Sequence, residues 1–227
     1  MEPRHNIIKL VVPGSAGETE TLHVHQGVLC KSPEFFQRTM KPEWTNLKDK
    51  PYIIELPDDT VDTVSDSVKW LYAGSMSLTL YKADDEHRRE KVAKEADKVF
   101  VLLAEAYVFG EKILDAGYKN AVMKTLEAAK ESSRRNMGPE SVGICYKGTP
   151  PGSPLRCQIA ESVAHLAHDD TENGIGRMSF IDGYPKEALA DALKATLRLR
   201  CKLEEDTQNG TKSNYLENYL YNSHPLR

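Results

Sequence analysis

The stretch Leu22-His23-Val24-His25-Gln26-Gly27-Val28-Leu29-Cys30-Lys31-Ser32-Pro33-Glu34-Phe35-Phe36 decides how the first half of the chain is read. Its front end alternates. From Thr19 to His25, Leu22 and Val24 fall on one face, and Thr21, His23 and His25 fall on the other. A period of two marks a half-buried strand. The alternation stops at Gln26, and Val28 and Leu29 belong to a short helical piece ending near Lys31. Pro33 suits the first turn of a second helix, running to about Met40 with Phe35 and Phe36 as its apolar side chains. Pro42 closes it, because proline cannot continue a helix.

Toward the N-terminus, Ile7 to Val12 is an apolar, β-branched run ended by Pro13-Gly14-Ser15-Ala16-Gly17, a stretch of turn formers. With Thr19 to His25 it predicts a hairpin. Toward the C-terminus, a polar loop from Thr45 to Lys50 leads into a strand, Tyr52-Ile53-Ile54-Glu55-Leu56. Pro57-Asp58-Asp59-Thr60 places acids and a hydroxyl where a helix needs caps. The helix puts Val61, Val64, Val68 and Leu71 on one stripe and stops at Tyr72-Ala73-Gly74. Lys82 to Lys98 carries acids and bases in equal number, a solvated loop entering a helix. From about Ala96 the residues Ala96, Val99, Phe100, Leu103, Ala106 and Tyr107 recur at helical spacing. Gly110 and Asp115 separate that helix from another, in which Tyr118, Val122, Leu126 and Ala129 share a face.

Glycine, proline and serine become frequent from Ser132 to Pro154, so 132–154 is read as a linker. Beyond it, Leu155, Ile159, Val163 and Leu166 form one amphipathic helix and Leu189, Leu193, Leu197 and Cys201 another. These make 155–205 a helical extension. Residues 206–227 read as a flexible tail, apart from the apolar cluster Tyr215, Leu216, Tyr219, Leu220 and Tyr221. The pattern predicts an α+β fold, with a small sheet and helical hairpins first and an all-helical extension after.

These residues also resemble a known family. Leu22-His23-Val24-His25, Val28-Leu29-Cys30-Lys31-Ser32-Pro33 and Phe35-Phe36 are similar to the opening of the BTB/POZ domain. There a "VH" pair precedes an apolar helix and an "SP-FF" segment. Ile54-Glu55-Leu56-Pro57-Asp58-Asp59 and Val68-Lys69-Trp70-Leu71-Tyr72-Ala73-Gly74 resemble its acid-capped helix and "WLYTG"-like end. Leu102 to Gly110 and Leu114 to Leu126 resemble its last helical hairpin. The resemblance spans about residues 5–131. In the extension, Gly148-Thr149-Pro150-Pro151-Gly152-Ser153-Pro154-Leu155-Arg156 is similar to the "TP-GSPLR" segment of many fungal BTB proteins.

The resemblance implies a BTB/POZ fold and a non-enzymatic role in binding other proteins, as a dimerising scaffold or a substrate adaptor for a cullin-3 ubiquitin ligase. It places the cullin-contacting loop at Trp44-Thr45-Asn46, where Asn46 is neutral and the family carries an acid. It places the charged pair of dimeric members at Asn6-Ile7 and Gln26, where both charges are missing. The exposed-aromatic reading of Trp44 stands beside one in which the indole tucks under its loop as core. No Kelch repeat or Cys-His zinc finger accompanies the domain.

Bulk properties narrow the classes further. Apolar residues at 40% and charged residues at 28% match an ordinary globular protein. A net charge of −4 gives no general attraction to phosphate backbones or anionic membranes, so neither nucleic acid nor membrane is an expected partner. No run approaches the roughly 20 apolar residues needed to span a bilayer. Met1 to Asn6 lacks the basic and apolar regions of a signal peptide, which points to the nucleus or cytoplasm. Cys30, Cys145, Cys157 and Cys201 are scattered and read as reduced thiols, and Asn209-Gly210-Thr211 as a chance glycosylation match.

Four clusters remain to be weighed as chemistry. His23 and His25 share a strand face, but no cysteine or carboxylate stands beside them to complete a metal shell. His165, His168, Asp169 and Asp170 form the sharpest enzyme-like group, suited to a metal-dependent hydrolase, which is the alternative function. Their bland reading is a helix end unravelling into solvent, since acids there oppose the helix dipole. Asn173-Gly174-Ile175-Gly176-Arg177 lacks the third glycine of a phosphate cradle and reads as a turn. The cluster from Tyr215 to Tyr221 is either a docking peptide or a short helix folded back on its own domain. No cofactor is implied.

Overall fold

The computed structural model describes residues 6–14, 17–31, 33–41, 43, 49–76, 89–166 and 181–208. Alternation at the start of the chain yields an antiparallel pair, β1 (Ile7–Pro13) and β2 (Thr19–His25), with Ile7 opposite His25 and Pro13 opposite Thr19. Gly14 donates to the Glu18 carbonyl at 2.7 Å across the reversal. Ile8, Leu10, Val12 and Val24 go to the core, while Thr21, His23 and His25 face outward as the period of two requires. Helix α1 (Gln26–Leu29) and helix α2 (Glu34–Thr39) follow, burying Leu29 and Phe36. Strand β3 (Ile53–Glu55) is shorter than its apolar run and lies parallel to β1, giving the sheet order β2-β1-β3.

Helix α3 (Val61–Ala73) begins and ends where its signals predict. Thr60 accepts the Thr63 N–H at 3.3 Å, and Gly74 adopts a left-handed φ of 71° that glycine reaches without steric cost. Helix α4 (Arg89–Lys112) runs past Gly110. A Cβ there would lie 2.7 Å from the Lys119 Cγ, so only glycine allows helix α5 (Ala116–Ser133) to approach. Asp115 caps α5 through the Tyr118 N–H at 3.0 Å.

The remaining described helices are α6 (Pro139–Gly148), α7 (Pro154–Leu166) and α8 (Lys186–Gln208). Helix α6 lies inside the stretch read as a linker. Pro139 occupies its first turn, and Val142, Cys145 and Tyr146 are buried at helical spacing. The described residues thus form a mixed α+β chain, mostly helical, with one three-stranded sheet.

Contacts divide the chain into two units, Met1–Thr79 with Glu105–Leu126, and Leu80–Ala104 with Glu127–Arg227. The first holds the sheet, α1 to α3 and a core that includes Tyr107, Phe109, Ile113, Tyr118 and Val122. Lys112 meets Asp59 at 2.6 Å, and Phe35 donates to the Ile113 carbonyl at 3.2 Å. The second holds α6 to α8 around Val99, Phe100, Leu103, Leu155 and Ile159.

Helix α8 turns a different face inward from the one its leucines suggest. Ala188 and Ala192 are buried, while Leu193, Leu197 and Cys201 are exposed. Both stripes have helical periodicity. The alanine stripe packs on α7 because small side chains let helices approach closely, which outweighs the larger transfer energy of leucine.

Candidate functional site

Several residues singled out from the sequence lie outside the described residues. These are Trp44, Thr45 and Asn46 of the expected partner-binding loop, His168, Asp169 and Asp170 of the enzyme-like cluster, Asn173 to Arg177, and Tyr215 to Tyr221. His165 sits in the last turn of α7, where burial lowers its pKa against the opposing pull of Glu161. Among the described residues, no three His, Cys, Asp or Glu side chains are grouped to hold a metal. The four cysteines are free thiols, and burial pushes the Cys30 thiol up.

What the structure brings together is a row of side chains across one end of the sheet. Asn6, just ahead of β1, donates through Nδ2 to the Tyr52 hydroxyl at 3.1 Å and to Gln26 Oε1 at 3.4 Å. Gln26 in turn donates its backbone N–H to the Asn6 carbonyl at 2.9 Å. Asn6 and Gln26 are therefore neighbours. Beside them Ile7 faces His25 across the hairpin, and the His25 ring meets Tyr72 edge-on with centroids 6.0 Å apart. Tyr52, Ile7 and Tyr72 are 44%, 43% and 51% exposed, large apolar side chains that the fold leaves in water.

The same end of the sheet carries an open edge. Backbone bonds from Gln26 to Asn6 and from Gly14 to Glu18 turn the even-numbered residues of β2 toward β1. Its odd-numbered residues then direct their N–H and C=O groups away from the sheet. At His25 that outward N–H is taken by the Tyr72 hydroxyl at 3.1 Å, and the same hydroxyl lies 2.7 Å from His25 Nδ1. Thr19, Thr21 and His23 make no other backbone hydrogen bond among the described residues. A row of aromatic and aliphatic side chains beside unpaired strand groups suits an extended peptide, whose main chain pairs with the edge while its side chains meet the row. His25, considered as a metal ligand, is engaged by Tyr72 instead.

A second cluster went unnoticed in the sequence beyond its motif. Arg156, at the end of the "TP-GSPLR"-like segment, is buried. Its Nε donates to Thr149 Oγ1 at 3.0 Å, and its Nη2 donates to the carbonyls of Tyr146 and Thr149. The guanidinium lies 4.5 Å from the Tyr146 ring centroid. Tyr146 O is one of the last four carbonyls of α6, which have no partner within the helix. The cation thus satisfies orphan acceptors at the negative end of a helix dipole. Burial, with Asp191 beside the hydroxyl at 3.3 Å, pushes the Tyr146 phenol well above its ordinary pKa. This cluster fixes the α6–α7 junction.

Among the described residues no helix is long and apolar enough to cross a membrane. No family model matches this chain, and no curated protein matches it either.

Proposed function

We propose that the chain is a protein-interaction module of the BTB/POZ type, working as a scaffold or as an adaptor for a cullin-type ubiquitin ligase. The order of its motifs from Leu22 to Leu126 supports that reading, as does a small sheet followed by capped helices. The observation that carries the binding role is the exposed row Tyr52, Ile7, His25 and Tyr72 beside the open β2 edge. Aromatic side chains supply a large share of interface energy, and contiguous apolar patches on a surface mark interaction sites.

The test is affinity capture with quantified partner recovery, comparing the wild type with Tyr52→Ala/Tyr72→Ala and with Trp44→Ala. Loss of a specific partner in the double variant supports the sheet-end surface, and loss in Trp44→Ala supports the loop. Equal recovery in all three refutes both contacts. Stoichiometric transition metal in the purified protein would favour the hydrolase built on His165, His168, Asp169 and Asp170.

A further inference from the structure

We infer that α8 pairs antiparallel with α8 of a second copy of this chain. Lys186, Ala190, Leu193, Leu197, Arg200 and Glu204 are all exposed, and they recur at alternating intervals of four and three. That is the a/d spacing of a two-helix seam, about 27 Å long at 1.5 Å per residue. Its centre is apolar, with Leu193 61% and Leu197 53% exposed. The opposite stripe of α8 is already buried against its own unit, so this seam is the face left for a partner.

The charges say which partner and which direction. In a two-fold antiparallel pair centred between the leucines, Leu193 meets Leu197 of the other copy, and Lys186 meets Glu204. Ala190 meets Arg200, leaving room for the aliphatic stem of the arginine. Every seam residue therefore finds a complement on an identical helix, which is the requirement of an isologous interface. A parallel pair would set lysine on lysine, arginine on arginine and glutamate on glutamate. That repulsion excludes it. Within one copy, Arg200 and Glu204 are 3.1 Å apart, which keeps the acid on the seam.

This inference does not depend on the BTB/POZ reading, since α8 lies outside the residues that carry it. The experiment is sedimentation equilibrium on the full chain across protein concentrations. Wild type is expected to dimerise with a Kd on the order of 10 µM, at the weak end of specific interfaces. Leu193→Asp/Leu197→Asp should be monomeric, with unchanged circular dichroism because both positions are exposed. Lys186→Glu alone should weaken the dimer by roughly tenfold, and Lys186→Glu/Glu204→Lys should recover most of that loss.

A wild type that stays monomeric overturns the proposal and leaves the seam to another occupant, such as the chain's own C-terminal segment. A dimer that survives the aspartates overturns it too, because the contact then lies elsewhere. Failure of the double charge reversal to rescue overturns the antiparallel register.

Discussion

The Tyr72 hydroxyl bridges two nitrogens of His25, the backbone N–H at 3.1 Å and the ring Nδ1 at 2.7 Å. The backbone N–H donates to the hydroxyl, and the direction of the bond between the hydroxyl and Nδ1 depends on the imidazole tautomer. One side chain from the end of α3 thereby takes the outward N–H at the end of β2. Tyr72→Phe should cost about 1 kcal/mol in urea unfolding. An unchanged midpoint would show that the bridge contributes nothing.

Arg156 serves three acceptors from one buried guanidinium. Arg156→Met keeps much of the packing and leaves those oxygens without a donor, so a loss of about 3 kcal/mol is expected. Lysine, a single point charge without the planar fork, should recover only part of it. Chemical denaturation of both variants measures the difference.

Tyr118 is fully buried with its ring 5.4 Å from that of Trp70, and its hydroxyl has no hydrogen-bond partner among the described residues. Burial, with Asp66 and Asp115 nearby, pushes its ionisation well above the ordinary range. Because a buried unsatisfied hydroxyl is costly, Tyr118→Phe should unfold at the same temperature or higher, with a gain of up to about 1 kcal/mol. A clear loss in calorimetry would reveal an unseen partner.

Burial at the end of α7 depresses the His165 pKa below 6.5. The folded chain then binds fewer protons there than the unfolded chain. Stability from this group is complete above 6.5 and declines as pH falls through the lowered value. Urea midpoints between about pH 7.5 and about pH 5.5 should fall more steeply in wild type than in His165→Gln. Parallel slopes would assign the pH dependence to other groups.

Much of the first unit was legible because its signals are local. An apolar β-branched run gave β1 and alternation gave β2, Thr60 and Gly74 marked the two ends of α3, and Asp115 marked the break before α5. Helix α6 was hidden by composition: Gly138 and Pro139 read as loop formers, although proline at a first turn and the spacing of Val142, Cys145 and Tyr146 were available as a helix signal. The inward face of α8 was hidden for another reason. Alanines and leucines both repeat with the helix, and only the neighbouring helix determines which stripe is covered.

The row at the sheet end was beyond local reading altogether. Its members come from the start of β1, the approach to β3, the end of β2 and the end of α3, and His25 and Tyr72 are separated by 47 positions. Periodicity places each residue on a face but says nothing about which faces become neighbours.

The chain's path through its two units has a last consequence. Leu80–Ala104 belongs with Glu127–Arg227, and the intervening Glu105–Leu126 belongs with the N-terminal residues. Helix α4 and helix α5 each contribute residues to both units. A cut at any bond between residues 80 and 126 divides both units. Shortening the protein from either end to a point between residues 80 and 126 therefore leaves neither unit complete.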